Sequence, residues 1–160
     1  MATVKMPGLK PFARKLQSTS KSLSNTKRLH GEAVILYEQW VKQNFRAQGK
    51  DHDRSSLHWK KLSKTTLSIR RNRRRSPTNS TIILRDSGQL SLRWSRRFDN
   101  RQAEFKSAQN YSSLHERGGT SKLGNKTFDV PQRKIFPENK QGRKIIKPAI
   151  DIYLKRAFKP

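Results

Sequence analysis

The chain has 160 residues, of which 31% are hydrophobic, and its 37 Lys and Arg against 11 Asp and Glu give a formal net charge of +26. The lack of cysteine excludes disulfides, thiolate metal sites and a cysteine nucleophile, and no apolar run approaches the roughly 20 residues of a membrane span. The N-terminus has no apolar signal core, so we expect a protein made and acting in the cytoplasm until it joins an assembly. The charge predicts attraction to nucleic acid or to an acidic partner.

The N-terminal segment, residues 1–24, is basic and rich in Ser and Thr. Leu9, Phe12 and Leu16 have helical spacing, so the segment is predicted to be either a short helix or a basic arm that becomes ordered on binding. The remainder, residues 25–160, is predicted to form one domain.

Residues 26–46 carry the clearest helix pattern. Two neighbouring apolar stripes make a broad face, which we interpret as core packing rather than as a ligand site. Asn25 or Thr26 can cap the start, and Gly49 follows the end. The stripes consist of Leu29, Ala33, Leu36 and Trp40, and of Val34, Tyr37, Val41 and Phe45.

The next stretch is strongly basic, with no acidic residue from Arg54 to Arg85. Trp59 and Leu62 form a small apolar island in it, and we interpret Trp59 as a core anchor in preference to a base-stacking residue. A basic loop is predicted at about 68–80, because Ser, Pro, Thr and Asn follow a dense group of arginines. That group is Arg70, Arg71, Arg73, Arg74 and Arg75.

Residues 81–106 are typical of a sheet region. Apolar residues at even spacing predict a half-buried strand, Asp99-Asn100 a hairpin turn, and Ala103 with Phe105 a second strand. A short helix over 87–92 competes with the first strand for Leu90. The evenly spaced residues are Leu90, Leu92, Trp94 and Phe98.

The C-terminal third begins with a helical turn that contains Tyr111 and Leu114 and stops at Gly118. Residues 120–130 are predicted to be a polar loop and 131–137 an extended segment. A last helix at about 143–158 has Pro148 in its first turn or at a kink. Its predicted apolar face consists of Ile146, Ala149, Ile150, Tyr153, Leu154, Ala157 and Phe158.

The sequence offers little for catalysis. It has no phosphate-binding Walker loop, no dinucleotide-binding glycine pattern and no nucleophile elbow. Asp51-His52-Asp53 with His58 is the one cluster that resembles a metal site, and we interpret it as solvated polar sequence. We therefore predict a protein that is not an enzyme and that has no cofactor and no metal.

Short motifs in a fixed order carry a family resemblance. Trp-x-x-Leu with a following Thr is succeeded by Leu-x-x-x-Gly-x-Leu, then by Tyr-x-x-x-His-Glu-x-Gly, and last by Pro-x-Arg-x-x-Phe. This succession resembles the phage virion morphogenesis family of tail-completion or neck proteins. We call the matching residues the motif residues: Trp59, Leu62, Thr66, Leu84, Gly88, Leu90, Tyr111, His115, Gly118, Pro131, Arg133 and Phe136.

The resemblance spans roughly residues 30–158, and the sequence departs from the family pattern in places. Ser112 stands where the family often has Ala, and Lys134-Ile135 interrupts the more usual Arg-Pro-Phe. The arginine group at 70–75 is also unusually dense. These departures bear on loop geometry more than on family membership.

The resemblance implies an α+β fold, with a small antiparallel sheet flanked by a long N-terminal helix and a C-terminal helix. It implies a homo-oligomeric ring, with six subunits as the expected number, at the head–tail junction of the virion. The implied partners are neighbouring neck or connector proteins and tail terminator or tail tube proteins. The arginines from Arg70 to Arg75 would face the DNA channel or an acidic neighbour in the ring.

The alternative is a basic protein that binds nucleic acid without sequence preference. Cations interleaved with Trp59 favour it, since they supply affinity for phosphates through counterion release. The order of the motifs favours the phage assignment, whereas the net charge does not discriminate between the two.

Overall fold

The computed structural model describes residues 9–72, 81–123 and 125–158. The helices are α1 (Leu9–Ser24), α2 (Lys27–Arg46), α3 (Lys64–Asn72), α4 (Gln89–Leu92), α5 (Ser112–Arg117) and α6 (Asn139–Ala157), with a short 3-10 helix at Ser55–Leu57. The strands are β1 (Trp94–Phe98), β2 (Ala103–Ser107), β3 (Gly119–Leu123) and β4 (Lys126–Val130). The fold class is α+β, as predicted.

Helix α2 is the central element, and it packs against α6 and against the β1–β2 hairpin. The helix predicted at 26–46 is confirmed, and Val34, Val41 and Phe45 on its apolar face are buried. The chain reverses directly after α2, where the amide of Gly49 donates to the Asn44 carbonyl at 2.9 Å. Gly49 has a φ of +82°, and a Cβ there would lie 2.2 Å from Cγ of Trp59. Glycine is required at this reversal because the Trp59 ring covers it.

The core consists of aromatic and aliphatic side chains around Ile135, which is fully buried. Trp59 is 6% exposed and packs edge-on against Phe45, with the ring centroids 5.2 Å apart. The prediction that Trp59 anchors the core is therefore confirmed. The rings of Trp94 and Phe105, from paired strands, stack at 5.0 Å.

Strands β1 and β2 form an antiparallel hairpin with Trp94 opposite Ser107 and Phe98 opposite Ala103. Its turn is closed by the Asp99 carboxylate, which accepts hydrogen bonds from the amides of Arg101 and Gln102. The predicted hairpin is thus present. Leu90, however, lies on α4 and not on the strand, because Gly88 adopts a left-handed φ of 76° and begins a helical turn.

The second sheet corrects the loop predicted over 120–130. Strands β3 and β4 pair antiparallel, with Gly119 opposite Val130 and Leu123 opposite Lys126. The residues described on β4 are mostly exposed, so the segment lacks the alternation of apolar and polar residues that marks a half-buried strand.

Helix α6 begins at Asn139, earlier than predicted, so Pro148 lies in its interior and not in its first turn. Tyr153 ties it to α1 by donating to the Leu23 carbonyl at 2.7 Å. The predicted apolar face is correct for Ala149 and Ala157, which are buried. It is wrong for Ile150, Leu154 and Phe158, which face outward because α1 and α2 cover only one side of the helix.

Two further predictions concern basic segments. Residues 9–24 form helix α1, the helical alternative of the two that the sequence left open. The predicted basic loop at about 68–80 is wrong for residues 68–72, which belong to α3 and include Arg70 and Arg71. Arg73, Arg74 and Arg75 lie outside the described residues.

Candidate functional site

Motif residues that are far apart in the sequence line one cleft of about 420 Å³. Its walls come from the start of α3, from the turn before α4, from α5, and from the end of β4 with the extended segment that follows it. The motif residues that line it are Leu62, Thr66, Leu84, Leu90, Tyr111, His115, Pro131 and Arg133.

The remaining motif residues support the cleft from outside. Trp59 is buried in the core, and Phe136 packs against the core. Gly88 and Gly118 have φ values of 76° and 74°, which glycine adopts without strain. A Cβ on Gly118 would lie 2.9 Å from the amide nitrogen of Gln132, so this glycine lets the extended segment approach α5. The prediction that the helical turn stops at Gly118 is confirmed, since α5 ends at Arg117.

One wall of the cleft holds a backbone conformation that costs energy. Leu84 has a φ of 57°, in the left-handed region that a branched side chain rarely occupies. Its side chain is buried in the core cluster, and burial of that side chain offsets the backbone cost. Leu84 therefore belongs both to the core and to the lining of the cleft.

Arg133 contributes a buried guanidinium to the cleft. The residue is 7% exposed, and its amide donates to the His115 carbonyl at 2.7 Å. Its Nη2 lies 3.5 Å from the Lys60 carbonyl oxygen, and its Nε has no hydrogen-bond partner among the described residues. Burial, with the nearby positive charge of Arg70, lowers the pKa of Arg133. Arg133 lies on the segment predicted to be extended, and its side chain is buried within the subunit.

Arg70 is the second buried arginine of the cleft. Its Nη1 donates to the Ile82 carbonyl at 2.8 Å, and its Nε lies 3.6 Å from a carboxylate oxygen of Asp86. The residue is 8% exposed, so its side chain does not lie on the outer surface as expected for the arginines that would face the DNA channel or an acidic neighbour. Arg71, next to it on α3, is exposed.

His115 on α5 and Tyr111, which directly precedes α5, form one wall of the cleft, with their rings edge to face and the centroids 6.1 Å apart. Burial, with the positive charge of Arg133, lowers the pKa of His115, so the imidazole is neutral at pH 7. Its Nδ1 is buried and has no partner among the described residues. Tyr111 is 42% exposed and stands at the mouth of the cleft.

The extended segment behind the cleft is fixed by polar groups of Glu116 and Trp59. The Glu116 carboxylate accepts the amides of Ile135 at 2.6 Å and of Phe136 at 3.2 Å. On the other side, the carbonyl of Lys134 accepts the indole N–H of Trp59 at 2.7 Å. A signal for Glu116 was present in the sequence, as it is the acidic neighbour of His115 in the third motif.

The same Lys134 carbonyl lies 2.8 Å from Nε2 of His52 and 3.2 Å from Nδ2 of Asn44. Both residues are buried. His52 was interpreted as solvated, and this was wrong because its ring enters the core beside Trp40. Asn44 lies on α2, and its contact with the Lys134 carbonyl follows from its burial and not from any sequence pattern.

Carboxylates and histidines do not assemble into a metal site in the part of the chain that the structure describes. Asp53 accepts hydrogen bonds from Gln141 and Lys144 at 3.2 and 2.8 Å. Within the same residues, no helix is long and apolar enough to cross a membrane.

The chain was compared with protein-family models, with curated proteins and with solved structures, and none of these matches it.

Proposed function

We propose that this chain is a structural subunit of a tailed-phage particle, a tail-completion or neck protein that assembles as a ring at the head–tail junction and joins the tail to the DNA-filled head. The observation that carries the proposal is the cleft. Motif residues that lie up to about 70 positions apart, from Leu62 to Arg133, line one surface feature. If the motifs occurred in this order by chance, their residues would have no reason to lie close together in space. Their common position in one cleft therefore supports the family resemblance.

In this proposal the protein is not an enzyme and carries no cofactor. Its partners are further copies of itself in a ring, expected to number six, and the neck or connector and tail terminator or tail tube proteins on either side. The exposed cations would meet the genome as it passes through the ring. The protein would act in the virion after it is made in the host cytoplasm.

The proposal is tested by negative-stain electron microscopy of particles from an infection in which this gene is inactivated. DNA-filled heads should accumulate beside separate, finished tails. A plasmid-borne copy of the intact gene should restore joined particles in the same infection. If joined and infectious particles form without the gene, the head–tail assignment is wrong.

A second candidate function is nucleic-acid binding without sequence preference, which the charge favours. Apart from Arg70 and Arg133, nearly all lysines and arginines whose side chains the structure describes are exposed. A surface of this kind binds duplex DNA with an affinity that falls steeply with salt. Tight binding by the isolated protein at about 0.15 M salt, together with normal particles in the gene-inactivated infection, would favour this function over the first.

A further inference from the structure

The two buried arginines lie at one place. Among the lysines and arginines whose side chains the structure describes, Arg70 and Arg133 are the buried ones, and both line the cleft. Arg133 presents a buried Nε–H with no partner among the described residues. A buried guanidinium donor that is left unpaired costs free energy unless a ligand accepts from it. The site is therefore built to receive an acceptor.

The charge around the cleft indicates that this acceptor is an anion. Lys60 and Lys61 stand on its rim, both exposed, and neither forms an ion pair with the described residues. Burial and then the positive charge of Arg70 lower the pKa of Arg133, and an anion beside the two cations would reduce their repulsion. A carboxylate or phosphate oxygen fits the fork of an arginine.

The remaining lining distinguishes a carboxylate from a nucleic-acid backbone. Asp86 and Asp129 also line the cleft and would repel a chain of successive phosphates. Much of the remaining lining is apolar and would pack against aliphatic side chains that flank a single acidic group. These apolar residues are Leu62, Leu84, Leu90, Phe128, Val130 and Pro131.

We infer that the cleft is a docking site for a short peptide segment of a partner protein, in which one carboxylate lies between apolar side chains and pairs with Arg133. The carboxylate accepts from the Nε–H once the guanidinium turns toward the cleft, while Lys60 and Lys61 attract it from the rim. Tyr111 at the mouth supplies an exposed aromatic surface for the flanking residues. The inference concerns the isolated chain and does not depend on the proposed function.

The probe is a pentapeptide blocked at both ends, with a central glutamate between two leucines and a serine at each end. Its control has glutamine in place of the glutamate. The readout is the Nε–H resonance of Arg133 in the arginine side-chain region of a nitrogen–proton NMR spectrum, assigned with Arg133→Lys. The glutamate peptide should shift this resonance to saturation, and the glutamine peptide should bind at least about tenfold more weakly, since a charge-assisted hydrogen bond is lost.

Exposed rim residues test the site without disturbing the core. Lys61→Gln should weaken binding of the glutamate peptide about two- to fivefold, the range of an exposed ion pair. Lys122→Gln removes the same charge from an exposed position on β3 outside the cleft and should leave the affinity unchanged. Asp129→Asn should strengthen binding by a similar factor, because it removes a repelling carboxylate from the cleft.

Three outcomes would overturn the inference. The first is the absence of a saturable shift with the glutamate peptide. The second is equal binding of both peptides, which would reduce the site to an apolar groove. The third is a shift of the Arg133 resonance by a short DNA duplex at the same salt but not by the glutamate peptide, which would make the cleft a phosphate site.

Discussion

Gly49 shows how a single residue without a side chain allows the core to close. Its φ is +82°, and a Cβ at this position would lie 2.2 Å from Cγ of Trp59, so there is no room for a methyl group. We predict that Gly49→Ala lowers the free energy of unfolding by about 3 kcal/mol, from left-handed strain and overpacking together. Urea denaturation followed by tryptophan fluorescence measures the change.

Gly142 supplies the matched control for that substitution. It lies inside α6, and a Cβ there would meet Tyr37 at 3.8 Å, an ordinary contact distance. Gly142→Ala should leave the free energy of unfolding unchanged or raise it by about 0.5–1 kcal/mol, because alanine favours the helix. Equal losses from both substitutions would contradict the role assigned to Gly49.

His115 predicts how stability depends on pH. Its pKa is lowered in the folded chain by burial and by Arg133, so the unfolded chain binds more protons just below pH 6.5. The stability that depends on a neutral His115 is fully present above pH 6.5. It is lost as the pH falls from 6.5 through the pKa that His115 has in the folded chain. We predict that the free energy of unfolding falls between pH 7.5 and 5.5, and that His115→Gln reduces this fall.

His58 is the control for the pH measurement, since it is exposed. His58→Gln should retain the pH dependence of the parent chain. If His115→Gln left the fall between pH 7.5 and 5.5 unchanged, His115 would not be the group responsible.

At the residue scale, the sequence predicted the anchors better than the polar supports. Trp59 could be assigned to the core because a large aromatic among cations has few other stable positions. Asn44 could not be assigned, because an amide side chain on a helix is usually predicted to be at the surface. Its burial depends on the Lys134 carbonyl, which lies 90 positions later in the chain. Polar contacts of this kind depend on tertiary structure and leave no periodic pattern.

At the element scale, Pro148 destabilises the helix that contains it. It lies within α6, where it lacks the N–H that would bond to the carbonyl of residue 144. It is exposed, so the core gains nothing from its side chain. We predict that Pro148→Ala raises the free energy of unfolding by about 1–3 kcal/mol. Thermal unfolding followed by circular dichroism at 222 nm measures the change.

Arg143 gives a comparison on the same helix, as it is also exposed. Arg143→Ala should change stability by no more than about 0.5 kcal/mol, since arginine and alanine have similar helix propensities. A loss of stability in Pro148→Ala would mean that the proline fixes a helix geometry that the rest of the chain requires.

The sequence predicted helices and strands best where burial of one face produces a regular spacing of apolar residues. Helix α2 has a wide apolar face, and its bounds agree with the prediction within a residue. The residues described on β4 are mostly exposed, so burial does not produce an alternation of apolar and polar residues there. The sequence evidence for the β3–β4 hairpin is therefore the Gly124-Asn125 pair, a dipeptide typical of two-residue hairpin connections. The residues of α3 that follow Leu67 looked like a loop because charge density is a poor guide to helix ends.

At the scale of the whole molecule, the dominant quantity is the charge of +26. Arg70 is buried and Arg71 is exposed, so the charge test uses Arg71 together with Arg73, Arg74 and Arg75, which lie outside the described residues. We predict that reversing these four to Glu while keeping Arg70 lowers duplex affinity and reduces the infectivity of assembled particles, without lowering the melting temperature by more than a few degrees.

The control for this charge reversal places the same number of glutamates at exposed cations elsewhere. It should affect duplex affinity through net charge but leave infectivity closer to the parent value. If both sets reduced infectivity equally, a specific role for the arginine group would be excluded. The control positions are Arg117, Lys122, Lys126 and Lys140.

The central claim, a structural place at the head–tail junction, is tested most directly by locating the protein in finished particles. Purified virions that carry an epitope tag on this chain, and that remain infectious, are labelled with gold-conjugated antibody and imaged by electron microscopy. We predict gold at the junction between head and tail on joined particles. Gold absent from particles, or located at the far end of the tail or on the head shell alone, would contradict this placement.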